Sequence, residues 1–235
     1  MDHQELARLA HLHHPVAAPL ADDTVSALLR RAVRRGDERV LHLGCGSGAW
    51  LLRALTAHPQ LTADGVDPDP AALTAARTAA EQLGVIRRLG LHHRAPTDFV
   101  PPHRYDLALC IDAAAPLGDP TAALTTAARH LTPDGTLLLG ASFRQHPDDL
   151  PALVESITTA GWLPVHGHTS SRTELDDYAW SRTGSLTAWA LEHPDHPAAT
   201  QALQAAADQR TTWLREDRTA LGFVTLLLRR PAATD

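Results

Sequence analysis

The stretch VLHLGCGSGAW, Val40–Trp50, narrows the fold more than any other part of this chain. An apolar run of strand length feeds a turn with glycine at 44, 46 and 48, and a helical pattern follows at once. Glycines spaced this way allow a tight turn and a close approach of main chain to a ligand. The N–H groups that open the next helix favour a polar or anionic ligand group. A strand, turn and helix in this order belong to an α/β sheet whose ligand lies at the carboxyl edge of the strands.

The rest of the chain continues the alternation. Helices are expected over 3–13, 22–35, 49–57, 70–83, 120–131 and 148–160. Strands are expected at Arg39–Leu43, Leu61–Val66, Arg88–His93, Asp106–Ile111, Thr136–Gly140, Trp162–His168 and Gly222–Leu228. Pro133-Asp134-Gly135 reads as a turn into the fifth strand, and Gly161 ends the last of these helices. The expected fold class is α/β, a seven-stranded, mostly parallel Rossmann-like sheet. About fifty residues separate the last two strands, and they contain Trp180, Trp189 and Trp213. An ordered insertion of that length at a sheet end reads as a substrate cap. The expected division is a core of 1–168 and 220–235 with N-terminal lid helices, and a helical cap of 169–219.

Composition removes several chemistries. All 21 basic side chains are arginine. A P-loop and lysine Schiff-base chemistry both need the missing amine. A net charge of -6 without a basic stripe disfavours nucleic acid. No apolar run is long enough for a membrane span, and MDHQELARLA does not read as a signal peptide. Two cysteines, Cys45 and Cys110, both in core segments, suit a reducing, cytoplasmic setting, and no Cys/His cluster or HExxH spacing suggests a metal. The expected partner is a small-molecule substrate. Leu203, Ala207, Leu214 and Leu221 form a candidate face for a dimer or a small partner subunit.

Nineteen residues beyond Gly48, Asp67 ends the second strand. A carboxylate there can accept from both hydroxyls of a ribose, and with the glycine turn it points to an adenosine-containing ligand. The plainer reading is a cap for the Pro68–Pro70 turn. GxGxxA, ending at Ala49, also fits a dinucleotide fold, but helices precede the first strand and the last two strands read as a reversed pair.

These segments resemble the class I S-adenosylmethionine-dependent methyltransferases, over roughly Val25 to Arg230. VLHLGCGSG is similar to that family's first motif, GVDPDP to its second strand tip, YDLALCIDA to its fourth strand and LTPDGTLLLG to its fifth. LDDYAWSRTGSLTAWALEHP and LGFVTLLLRR resemble a group of actinobacterial small-molecule methyltransferases. The resemblance implies a pocket for S-adenosylmethionine or S-adenosylhomocysteine, held by Gly44, Cys45, Gly46, Gly48 and Asp67.

The pattern breaks at several positions. By resemblance, His42 stands where an acid holds the amino-acid end of the cofactor, and Ala95 where an acid holds the adenine, with Asp98 a stand-in. A histidine expected after the fourth strand is Ala115, with Asp112 in the same loop, and a glutamate expected after Tyr178 is Ala179. A hydrogen bond to a charged group contributes roughly 1.5–3 kcal/mol, so losing two weakens the cofactor by about 100-fold or more. These departures resemble those of methyltransferase homologues that close an aziridine ring in azinomycin-type antibiotic biosynthesis. The function expected first is therefore ring closure by an amine with loss of an anionic leaving group and no methyl transfer. Conventional N- or O-methylation of a small molecule stands second, and a non-catalytic binding module third.

The candidate catalytic residues are Asp112, His13, His14, Asp176 and Tyr178, with Trp180 and Arg182 as substrate-binding residues. Asp112 can deprotonate an ammonium or cap its own turn. His13 and His14 lie on a connector that, by resemblance, folds over the pocket. Asp176 and Tyr178 open the cap, where acids also suit a helix N-terminus. Arg182 can grip an anion bidentately or pair with Tyr178 one turn away.

Overall fold

The computed structural model describes residues 2–111 and 120–231. Seven strands form one sheet in the order β3-β2-β1-β4-β5-β7-β6. The strands are β1 Arg39–Leu43, β2 Thr62–Asp67, β3 Leu89–His93, β4 Tyr105–Cys110, β5 Leu131–Arg144, β6 Leu163–Thr169 and β7 Leu221–Arg229. β1 to β5 pair in parallel, and β7 runs antiparallel between β5 and β6. The order reverses between β1 and β4, which opens a crevice at their carboxyl ends beside Gly44–Gly48.

Alternation along the strands fills both faces. Val40, Leu107, Leu109 and Leu138 face a core built with α2 (Asp22–Ala32) and α3 (Ala49–Ala57). Leu41, Leu43, Ala108 and Leu139 face the opposite core, closed by α5 (Pro120–His130) and α6 (Asp149–Thr159). The remaining crossover helix, α4, spans Pro70–Gln82, with Pro70 in its first turn and Asp69 as its cap.

Strand five begins earlier than expected. β4 advances two residues from Tyr105 to Leu107 while β5 advances from Leu131 to Thr136, so the Pro133–Gly135 turn is a bulge within the pairing. The first helix, α1 (His3–Ala10), is shorter than expected. Beyond it, residues 11–20 form a strap in which Ala17 adopts a left-handed φ of 55°.

The insertion between β6 and β7 is helical. α7 runs Arg172–Glu192, α8 runs Ala199–Thr212, and a π turn at Trp213–Asp217 leads toward β7. Ser171 and Glu174 form a reciprocal capping box that starts α7. α1 packs on this cap through Leu6, Leu9 and Ala10 against Leu186 and Ala206.

Candidate functional site

The glycine turn is held from the second strand. Gly44 N donates to the Val66 carbonyl at 2.8 Å, and Gly46 N to Asp67 Oδ2 at 2.7 Å. Asp69 N donates to the other carboxylate oxygen at 2.9 Å. Gly44, Gly46 and Gly48 have φ of 76°, 52° and 77°, angles that disfavour any side chain. A Cβ added at Gly46 would meet no atom within 4 Å, whereas one at Gly48 would lie 3.2 Å from Ala76 Cβ. The middle glycine therefore borders open space, and the last one serves the packing of α3 on α4.

Asp67 is 9% exposed, and burial draws its carboxyl upward while the Asp69 and Gly46 N–H groups oppose that shift. Asp67 thus caps the turn: each oxygen takes one backbone N–H and keeps a second acceptor direction. Cys45 is a buried free thiol whose ionisation burial suppresses. Asp98 is exposed on a short turn after β3, where Thr97 Oγ1 donates to it at 3.2 Å. Asp112 lies outside the described residues, just past Ile111 at the end of β4.

His42 is 2% exposed, and neither ring nitrogen has a hydrogen-bond partner among the described residues. Burial lowers its pKa from 6.5 to about 3, so the ring is neutral, one N–H donor and one acceptor.

The cap and the strap meet around Tyr178. Its hydroxyl lies 3.0 Å from His11 Nε2 and donates to the Ala17 carbonyl at 3.3 Å. The His14 ring packs edge-on against the phenol at 5.1 Å, and Arg182 Cζ sits 5.5 Å from the same ring. Tyr178, Arg182, Leu175 and Trp213 line a cavity of about 370 Å³ over the ends of β5 and β7. Trp180, with Asp177, His13 and His14, lines a separate polar cavity of about 460 Å³. The split follows from helical spacing: Tyr178 and Arg182 are one turn apart, and Trp180 projects from another side.

Three expected residues serve as anchors. His13 Nδ1 lies 3.2 Å from Ser185 Oγ, and His14 Nε2 donates to the Ala18 carbonyl at 2.7 Å. Asp176 accepts from Arg218 Nε and Nη2 at 2.9 and 3.0 Å and from Trp213 Nε1 at 3.1 Å. The Arg218 bond is the largest influence holding its carboxyl below the ordinary value. These contacts fix the strap and the end of the cap.

Two residues escaped sequence reasoning. His11 had no signal, because its partner is 167 positions away. Glu174 was legible in Ser171-x-x-Glu174 as a cap, but its long-range role was not. Its carboxylate accepts from Ala21 N at 3.1 Å and from Thr24 Oγ1 at 2.8 Å, which ties the cap to the lid segment.

Residues 41–137 match the family model of a methyltransferase domain. The Escherichia coli protein YjhP is 25% identical over 237 residues, which cover 92% of this chain and 95% of that protein. Its X-ray structure superposes with a TM-score of 0.85 at 22% identity, covering 97% of this chain and 100% of the other. A methyltransferase from Geobacter sulfurreducens in complex with S-adenosyl-L-homocysteine gives a TM-score of 0.87 at 21% identity, covering 97% and 98% of the two chains. The [4+2]-cyclase SpnF gives 0.76 at 18% identity, covering 98% and 95%. The fold of this chain is that of the class I methyltransferases. Its central segment, residues 41–137, is the part that matches the methyltransferase domain model.

The residues present fit an S-adenosyl group in its nucleoside half. Gly46 borders open space at the turn, and Asp67 keeps acceptor directions for a ribose. By resemblance, the other half would meet the neutral ring of His42 in place of a carboxylate. Among the described residues no group of His, Cys, Asp or Glu is arranged to hold a metal, and no helix is long and apolar enough to cross a membrane.

Proposed function

We propose that this chain is a methyltransferase-fold enzyme of specialised metabolism that closes a ring, an aziridine, within a small amine-bearing substrate without methyl transfer. His42 carries the reading. A neutral ring with both nitrogens unpartnered among the described residues stands where the resemblance puts an acid, so the cofactor's amino-acid end loses its charge-assisted hold while the glycine turn and Asp67 remain. SpnF, a cyclase by name, is a precedent for ring formation on this scaffold.

In the reaction the amine lone pair attacks the neighbouring carbon, and that carbon's bond to the ester oxygen breaks with its electron pair leaving on the anion. The proton released from nitrogen passes to a base, for which Asp112 is the candidate by its position after β4. The cap and the strap enclose the substrate between apolar walls, and most of the acceleration comes from holding amine and carbon in line. Tyr178, fixed between the Ala17 carbonyl and His11, orients the substrate beneath the strap.

Conventional N- or O-methylation is the second reading, favoured by the open face of Gly46 beside Asp67. S-adenosylmethionine, when bound, supplies an electrophilic methyl carbon on a sulfonium. Product mass separates the two. Incubation with vicinal amino-alcohol sulfate, phosphate and acyl esters, with and without S-adenosylmethionine, is expected to give loss of the leaving group's acid in both conditions. A gain of one methylene unit that requires S-adenosylmethionine overturns ring closure.

A further inference from the structure

We infer that the cavity between α7, α8 and the ends of β5 and β7 binds a small zwitterion, its anionic group on Arg182 and its cationic group toward Asp208. The inference rests on the reading of this cavity as the substrate site, and is independent of which reaction follows.

Both charges line the same space of about 370 Å³, and no ion pair joins them. Arg182 Nε is buried without a hydrogen-bond partner, and no hydrogen bond or ion pair reaches its guanidinium from the described residues. Its Cζ sits 5.5 Å from the centre of the Tyr178 ring, which presents the guanidinium as a planar fork. Asp208 accepts a neutral amide bond from Gln204 Nε2 at 2.8 Å and no cation among the described residues. Asp217, also on the lining, is matched by Arg144 at 3.4 Å. Asp208 is thus the acid without a counter-ion.

Leu175, Trp213, Leu221 and Phe223 complete the wall with apolar surface. Arg182 Nε has lost water without gaining a partner, and the exposed Asp208 carboxylate supplies the opposite charge at the rim. A ligand carrying one negative and one positive group meets both needs at once. A singly charged ligand meets one and leaves the other unanswered. The volume is near the lower end of small-ligand sites, roughly 300–1,000 Å³, so the ligand is of amino-acid size. The guanidinium fork accepts a carboxylate, a sulfonate or sulfate, or a phosphate alike.

Trp213 on the wall makes its fluorescence a reporter, isolated by subtracting the signal of Trp213→Phe. The full chain is titrated with taurine, β-alanine and O-phosphoethanolamine, and with the single-charge probes ethanesulfonate and ethylamine. The three zwitterions distinguish sulfonate, carboxylate and phosphate as the anion. At least one zwitterion is expected to bind about tenfold tighter than either single-charge probe. Arg182→Gln abolishes the preference, and Asp208→Asn brings the zwitterion to the ethanesulfonate level. Arg182→Lys, which keeps the charge without the fork, serves if the glutamine variant does not fold, and retains only part of the affinity. Equal binding of charged and zwitterionic probes, no binding of any of them, or affinity unchanged by either substitution overturns the inference. Cofactor calorimetry and product mass remain readable in each case, so the functional reading stands or falls separately.

Discussion

Asp67 Oδ2 accepts the backbone N–H of Gly46 at 2.7 Å, so the acid at the tip of β2 holds the apex of the glycine turn that follows β1. One side chain shapes the turn and keeps a free acceptor direction on each oxygen. Asp67→Ala leaves the N–H groups of Gly46 and Asp69 without acceptors, at about 1–3 kcal/mol for each that stays buried. Thermal denaturation should show a fall of several degrees, and S-adenosylhomocysteine should give no stabilisation of the variant.

Gly46→Ala tests the hollow with less damage to the fold. The added methyl meets no protein atom, so the cost is the left-handed backbone, on the order of 1–2 kcal/mol. The methyl projects into the open space beside the turn, where the proposed ligand would lie. A folded variant that no longer responds to S-adenosylhomocysteine in a thermal-shift measurement is expected. An unchanged response would mean that the ligand lies elsewhere.

Two buried histidines make the fold acid-sensitive. Burial lowers His42 to about 3, and burial together with the nearby Arg182 lowers His11 to about 4. Both folded values lie below 6.5, so the unfolded chain takes up protons first and stability is lost as pH falls from 6.5 toward 4 and below. At pH 5 each ring costs about 2 kcal/mol. His42→Leu removes one of these costs and leaves no buried group unpaired. Its acid-unfolding midpoint should shift to lower pH, with stability at pH 7.5 unchanged or higher.

Glu174 joins the cap to the lid. Burial alone would raise its pKa, but N–H bonds from Ser171 and Ala21 and the Thr24 and Ser171 hydroxyls outweigh that and bring it to about 2. Its contribution is present above the ordinary value of 4.5 and is lost as pH falls through about 2. Glu174→Ala is expected to cost about 2–3 kcal/mol, roughly 4–12 °C in Tm for a chain of this size. Hydrogen exchange should localise the loosening to residues 11–24 and the start of α7.

The β1 turn, the acid at 67 and the strand–helix alternation were legible because they are local: period-two apolar runs, glycine spacing and a proline at a helix start. β1 and α3 have the expected bounds. The β5 extension was not legible, because Pro133-Asp134-Gly135 reads as a turn and only the pairing with β4 absorbs it as a bulge. Around the cap, the sequence grouped Tyr178, Trp180 and Arg182 by proximity, but the helix sends Trp180, 49% exposed, to a different cavity. The contact of His11 with Tyr178 and the matching of Asp176 by Arg218 depend on how distant segments pack, which no local spacing encodes.

Titration calorimetry of the purified full chain with S-adenosylmethionine tests the central claim most directly. With His42 neutral and no acid at position 95, we expect a Kd about 100-fold or more above that of a conventional methyltransferase, in the millimolar range or too weak to measure. Binding at about micromolar Kd or tighter would contradict ring closure without methyl transfer and favour methylation.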